Sequence, residues 1–435
     1  MNKSPRLLIS RYKFYALTLL SAALLACHAL VVQSVQTHSE IARSADSFVD
    51  SIGVAVHLSY IDTAYGRYND IIKPKLKELK IRHIRDGVSL RDTDSQQKFK
   101  DLAKIGIKST LVMDPRDVSE PTEAVKIVQA VADSVEAVEG PNEWDGNPNL
   151  KYKGQNFPQG VREFQAELYS AIKGDSTTAR LDVLSPSLAY PQNASKLGRV
   201  ACDTGNLHSY PDAKKVISDA LDNKWLPAGR LICSTKSMIA TETGYPNANN
   251  ENGVSEQASA KYLPRLLLEH FNRGIKRAYI YELIDLKPNL ERDIGEWHFG
   301  LLRNDGSPKP AFITLRNLIA LLNNSNGLTS QSFTLKSLDY TLSGNTTNLH
   351  HTLLQKSDGR FYLILWQEVL SFNTKTKTDI VVPKSQVTLT LNTLISKAAT
   401  YRSLNSITPS NQYTNPQQLQ LSVPDHLLVI ELVPA

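Results

Sequence analysis

With three cysteines among 435 residues, the chain cannot be a disulfide-stapled scaffold, so its fold must rest on an apolar core. Cys27 lies near the amino terminus, while Cys202 and Cys233 lie in the body, too few and too far apart to suggest zinc. The histidines include no His-Glu-x-x-His and no spaced His/Cys cluster, so the sequence offers no metal site. No run of Lys and Arg is interleaved with aromatics, and the net charge of +6 is scattered, which argues against a nucleic-acid partner. Repeats of solenoid period are lacking, and the only low-complexity stretches are the Asn/Ser/Gln loops near Asn323 and Gln412. A composition of 41% apolar and 21% charged residues is that of an ordinary globular protein, here long enough for two domains.

What is present begins with an export segment. Lys3, Arg6, Arg11 and Lys13 precede an apolar run from Phe14 to Val32, a basic region followed by a hydrophobic one. The run is long for a signal peptide and close to a membrane span, so a cleaved signal and a membrane anchor through residues 14–32 are both open. Leu24-Leu25-Ala26-Cys27 loosely resembles a lipoprotein cleavage box. Residues 1–47 are therefore expected as signal or anchor plus a polar tether.

Between residues 48 and 322, short apolar runs alternate with helix-like stretches. The runs are Gly53–Leu58, Ile81–Arg85, Ser109–Met113, Val135–Glu139, Val183–Ser187, Asn206–Ser209, Ser237–Thr241 and Arg277–Tyr281. They are rich in Val, Ile and Leu, as buried parallel strands should be. Stretches such as "SQQKFKDLAKIG" and "GVREFQAELYSAIKG" carry apolar residues at helical spacing, and Gly106, Gly174 and Gly274 sit where helices should stop. Repeated strand–helix units of this kind predict a (β/α)8 TIM barrel. A doubly wound sheet would need a glycine-rich turn after its first strand, and "HLSYIDTAYG" is not one. Residues 323–435 alternate short strand-like runs with Gly, Asn, Ser and Pro turns and are expected to form a small β-sandwich, with Trp366 in its core. Cys202 and Cys233 each lie just before neighbouring strands, the sixth and seventh, so a disulfide is expected at the amino-terminal face of the barrel.

A barrel of this type builds its site at the carboxyl ends of its strands. Those ends carry His57 and Tyr60, Arg85 and Asp86, Asp114, then Asn142-Glu143-Trp144, then His208 and Tyr210, Glu242, and finally Tyr281, Glu282 and Asp285. No Cys or Ser nucleophile in a familiar setting is among them. Glu143 and Glu242, at the tips of strands four and seven, would point into the same cleft and suit glycosidic cleavage, in which one carboxyl protonates the leaving oxygen and the other attacks carbon or activates water. Trp144 is expected to supply apolar surface beside the acid or a stacking face for a sugar, and Arg85 to keep the nucleophile ionised. His57 reads either as a site residue or as a satisfied core histidine. Glu282 reads either as a ligand for sugar hydroxyls or as a buried carboxylate paired with an Arg.

"GPNEWD" at the fourth strand and "TETGYP" at the seventh resemble clan A of the glycoside hydrolases, retaining (β/α)8 enzymes that often carry an appended β-sandwich. The resemblance implies Glu143 as acid/base, Glu242 as nucleophile, and Asn142 as the ligand of the sugar 2-hydroxyl. It also implies that His208, Tyr210 and Arg85 surround the nucleophile. One departure is the tip of strand eight, where many members carry Trp and this chain has Tyr281-Glu282-Leu283. The sugar-platform role then falls to Tyr281 or to Trp297 in the following loop. The resemblance implies an exported retaining hydrolase of O-glycosidic bonds, needing no cofactor and taking an oligosaccharide or polysaccharide. A carbohydrate-binding protein on a retired barrel and a transglycosylase of extracellular polysaccharide are the alternatives. The sugar, its linkage and the oligomeric state are not legible.

Overall fold

The computed structural model describes residues 36–234, 237–288, 294–323, 333–402 and 406–435. The basic and apolar export segment, with Cys27, lies outside them. No helix among the described residues is long and apolar enough to cross a membrane.

Eight parallel strands form the barrel: Ile52–Ala55, His83–Gly87, Lys108–Val112, Val135–Glu139, Asp182–Leu184, Gly205–His208, Met238–Thr243 and Arg277–Ile280. They stand in sequence order, the first paired with the eighth, and a parallel bridge between Leu184 and Thr204 closes the ring. All the expected strands are present, with ends shifted by a few residues; only the fourth coincides with its expected bounds. The first stops at Ala55, and the chain beyond it already belongs to the mouth of the barrel. Inside, Ala137, Leu184, Ile239 and Tyr279 form one packed cluster. Gly53 makes room for it, since a Cβ there would lie 2.3 Å from the Tyr279 ring. Amphipathic helices, among them Thr93–Ala103, Gln159–Gly174, Glu256–Asn272 and Pro310–Leu322, cover the outside and bury their apolar faces on the strands.

The carboxy-terminal region forms two antiparallel sheets around a core that includes Tyr340, Leu342, Leu353, Leu363, Leu389 and Ile430. Residues expected as a tether prove to be part of this domain. Gln36–Ile41 pairs antiparallel with Ser337–Gly344, Arg43–Ser44 pairs parallel with Leu354 and Gln355, and Ala45–Asp50 is helical. Both strands sit at sheet edges and are held by backbone hydrogen bonds, so they carry no apolar alternation to read. Trp366 also differs from expectation. In Phe361–Gln367 every residue is buried: Phe361, Leu363 and Leu365 face the sandwich core, while Tyr362, Ile364 and Trp366 join the core cluster shared with the barrel. This sheet is covered on both faces, which is why its central strand reads as one continuous apolar run.

Polar groups complete the seam between the domains. Arg265, 1% exposed, donates to the carbonyls of Gln367, Asp425 and Val369. The Ser371 amide donates to the Tyr262 hydroxyl at 2.7 Å, and Lys261 pairs with Asp425 at 2.7 Å. Cys202 and Cys233 are joined by a disulfide with Cα atoms 6.2 Å apart, at the strand starts and remote from the mouth of the barrel.

Candidate active site

The turn after strand four is shaped by what surrounds it. Glu143 adopts the left-handed conformation, φ 55° and ψ 36°, which costs a residue with a side chain about 1–3 kcal/mol unless its surroundings impose it. Here they do. Asp114 accepts from the Asn142 amide at 2.8 Å and from the Trp144 indole at 3.1 Å, and Asn142 bridges to Ser187, just past the end of the neighbouring strand. A Cβ at Gly140 would lie 1.9 Å from Gln165 Oε1, so a larger residue there would displace that buried side chain from its bonds to the Leu184 and Ala201 carbonyls. The two residues flanking Glu143 are thereby fixed, and its side chain is directed over the barrel.

Beneath it lies an inward layer contributed by alternate strands, with Arg85 from the second, Glu139 from the fourth and His208 from the sixth. Arg85 donates through Nε and Nη2 to Glu139 at 2.9 Å each, through Nη2 to Asn142 Oδ1 at 2.7 Å, and through Nη1 to Glu242 Oε1. Tyr210 donates to Glu242 Oε2 at 2.6 Å. His208 contacts Glu143 Oε1 through Nδ1 at 2.7 Å and Thr241 Oγ1 through Nε2 at 3.1 Å. Thr241 in turn donates its hydroxyl hydrogen to Asn206 at 2.7 Å, so its oxygen must accept from the ring. Both ring nitrogens therefore donate, and His208 is an imidazolium. Its pKa follows: burial lowers it, but Glu242, Glu139 and Glu143 outweigh burial and lift it to about 10.

The carboxylates respond in kind. For Glu139, burial is opposed by Arg85 and His208, which bring it down to about 2. Burial would likewise raise Glu242, but the charges of His208 and Arg85 and the Tyr210 hydroxyl hold it below the usual range. A carboxylate oxygen of Glu143, a ring nitrogen of His208 and a carboxylate oxygen of Glu242 all lie within 4.8 Å of one another. Such a triad has the spacing of a metal site, where a cation would have to displace the ring proton that faces Glu143. A second cluster of this kind, Glu269, His350 and Glu368, lies between the domains, where Arg273 and Arg265 already answer its charge.

The group opens into a cleft of about 950 Å3 lined by His57, Arg85, Asn142, Glu143, Tyr210, Glu242 and Tyr281, with Tyr60, Asp86 and Glu296 around them. His57 stacks on Tyr60 with ring centroids 4.6 Å apart and contacts the Tyr281 hydroxyl at 3.3 Å. Burial lowers its pKa to about 4, with Arg85 reinforcing and Glu242 opposing, so it is neutral near pH 7. The Tyr281–Glu282 peptide is cis, and Tyr281 donates to Glu296 at 2.6 Å.

Three expected site residues fall elsewhere. Trp144 is 2% exposed and packed in the core, with its N–H committed to Asp114, so it offers no stacking face. Its role is to anchor the turn. Glu282 is wholly buried behind the cleft wall, where it accepts from Tyr65 at 2.8 Å and lies 3.4 Å from His57. No Arg among the described residues pairs with it, and burial pushes its pKa well above the carboxylate range. Trp297 does not line the cleft; its loop contributes Glu296 and Phe299 instead. Arg85 pairs with Glu139 and Glu242, not with Asp86 or Asp114.

Glu139, Glu296 and Phe299 were not expected. Glu139 could have been found, because a carboxylate in the buried run "VEAVE" needs a partner. The loop residues carry no periodic signal.

No protein-family model and no curated protein sequence matches the chain. Solved structures do. A glucosidase from Croceicoccus marinus superposes with a TM-score of 0.60 at 11% identity, covering 93% of this chain and 100% of that one. A family 39 glycoside hydrolase from the gut symbiont Bacteroides cellulosilyticus WH2 superposes with a TM-score of 0.57 at 14% identity, covering 90% of this chain and 83% of that one. The chain thus shares the barrel-plus-sandwich fold of glycoside hydrolases.

Proposed function

We propose that the protein is an exported retaining glycoside hydrolase acting on O-glycosidic bonds, with Glu242 as nucleophile and Glu143 as acid/base. The observation that carries this is the approach of the two carboxylates within 4.8 Å, oxygen to oxygen, at the floor of an open cleft. Retaining pairs stand about 5–5.5 Å apart, and inverting pairs, which must admit a water between them, about 6.5–9.5 Å. Their environments divide the roles. Glu242 is buried and kept ionised by Arg85, His208 and Tyr210, as a nucleophile must be. Glu143 is a third exposed and bonded through Oε1 to His208, leaving Oε2 for the proton.

In the first step Glu143 protonates the glycosidic oxygen, the bond from that oxygen to the anomeric carbon breaks, and a Glu242 oxygen bonds to the carbon. In the second step Glu143 takes a proton from water, the water oxygen bonds to the carbon, and Glu242 is released. Asn142, fixed by Arg85 through its Oδ1, keeps its NH2 for the sugar 2-hydroxyl. Tyr281 is the aromatic wall that this reading assigns as sugar platform. Lys3 to Lys13 followed by the apolar run to Val32 support export, with the apolar run as signal or anchor.

The test is azide rescue on an activated aryl glycoside. Glu242→Ala with azide should yield a glycosyl azide of inverted configuration, and Glu143→Ala with azide one of retained configuration. The opposite pairing would exchange the roles. Unaltered turnover in both variants would remove the proposal.

A further inference from the structure

The cleft does not end at the glutamates. Glu143 follows strand four and Glu242 belongs to strand seven, so a line between them divides the barrel mouth. The polar lobe described above is built largely from the loops after strands one to three. On the other side, the loops after strands five to eight enclose a second cavity of about 910 Å3, which shares Tyr190, Tyr210, Asn252, Glu296 and Phe299 with the first. The two lobes are therefore one groove with the glutamates near its middle.

Their chemistry differs. The polar lobe carries Asp86, Asp92, Asp114 and Asp117, and its two arginines are both bonded to carboxylates. The second lobe is lined by Pro191, Trp225, Pro227 and Leu231, with Tyr190 half exposed at the shared rim and Leu231 54% exposed. Asn223 and Asn250 stand at its edges. The exposed Tyr190 ring and Leu231 side chain, with amides beside them, suit a pyranose, whose axial C–H face packs on apolar surface while its hydroxyls find amide partners.

We infer that this second lobe is a binding site for the leaving-group end of a neutral polysaccharide, so that the enzyme cuts inside a chain. The inference rests on the proposed roles of Glu143 and Glu242. Asn142, which holds the attacked sugar in that reading, and Arg85, which fixes Asn142, line the polar lobe and not the second one. The attacked sugar thus lies toward the polar lobe, and the departing sugars run into the apolar one. A polyanionic chain is disfavoured because both arginines of the polar lobe are already neutralised and the second lobe sets Asp212 against its one lining lysine, Lys224.

The test compares substrates whose leaving groups do and do not reach the second lobe. The probes are the β-glycosyl fluorides of glucose, galactose and mannose, and soluble glucan, galactan and mannan. The unmutated protein should release oligosaccharides of several lengths from a polymer, with viscosity falling early. In Leu231→Asp, and in Tyr190→Ala as a second variant, the ratio of kcat/KM on the polymer to kcat/KM on the matching fluoride should fall about tenfold. A ratio unchanged in both variants, or release of monosaccharide alone from the polymer, would overturn the inference while leaving the glycosidase reading intact. Turnover of none of the six probes by the unmutated protein would count against the glycosidase reading itself.

Discussion

Two clusters in this molecule are built from the same residue types. At the mouth of the barrel, His208 lies between Glu143 and Glu242, with Arg85 bonded to Glu242. Between the domains, His350 is bonded to Glu269, with Glu368 and Arg273 beside them. In the second cluster both carboxylates are spent on the fold. Glu269 binds His350 and Arg273, and Glu368 accepts from the amides of Ile217 and Ser218 and from the Trp366 indole. In the first cluster one carboxylate, Glu143, stays a third exposed beside a cleft. The second cluster is a suture, and the first is the proposed site. What separates them is whether the packing leaves a charged oxygen facing a space that a ligand can fill.

Matched substitutions should break that symmetry. On the proposed mechanism Glu242→Gln should lower turnover of an aryl glycoside by more than about 10^4-fold, because no covalent intermediate can form, at a smaller cost in stability, because Arg85 and His208 keep Glu139 as a buried anion. Glu269→Gln should do the reverse, costing about 3–5 kcal/mol by leaving His350 and Arg273 without their shared anion, with kcat retained. Kinetics and urea unfolding on both variants check the pair. A large fall in kcat for Glu269→Gln would mean that seam and site are one unit.

The disulfide sharpens the contrast at the opposite end of the barrel. Cys233→Ser opens a loop of 31 residues and should cost about 3–4 kcal/mol with kcat/KM unchanged. A change in KM would show that the starts of strands six and seven transmit to their tips.

Tyr210→Phe removes one hydrogen bond to the ionised Glu242 and leaves the ring. A hydrogen bond to a charge contributes about 1.5–3 kcal/mol, so kcat/KM should fall roughly 10- to 100-fold. Equal activity would mean that Arg85 and His208 suffice to hold the nucleophile.

The smallest effect concerns protons. Burial lowers the His350 pKa, but the Glu269 bond at 2.6 Å outweighs it and raises it above the ordinary value. A histidine raised on folding stabilises fully below its unfolded pKa of about 6.5 and loses that stabilisation as pH climbs through the folded value. The same sign holds for His208, but its window closes at about 10. As pH rises from 6, the suture should therefore weaken. Urea midpoints taken upward from pH 6 should decline, and His350→Gln should flatten the early part of that slope. An unaltered slope in this variant would remove the suture's role in it.

The sequence by itself determined the barrel, because strands buried on both faces and helices buried on one leave distinct apolar periods along the chain. It also marked Glu143 and Glu242, since both stand where strands end. Tertiary structure alone decided the fate of their neighbours. Trp144 and Glu282 stand at strand tips as well, yet one anchors a turn on Asp114 and the other is sealed behind His57 and Tyr65. Gln36–Ile41 reads as a polar tether and is an edge strand, because its hydrogen bonds come from a segment some 300 residues later and need no apolar side chains. Trp366 looks like sandwich core and faces the barrel, because its sheet is covered twice. Apolar periodicity records that a face is buried; which partner buries it depends on contacts between segments far apart in the chain.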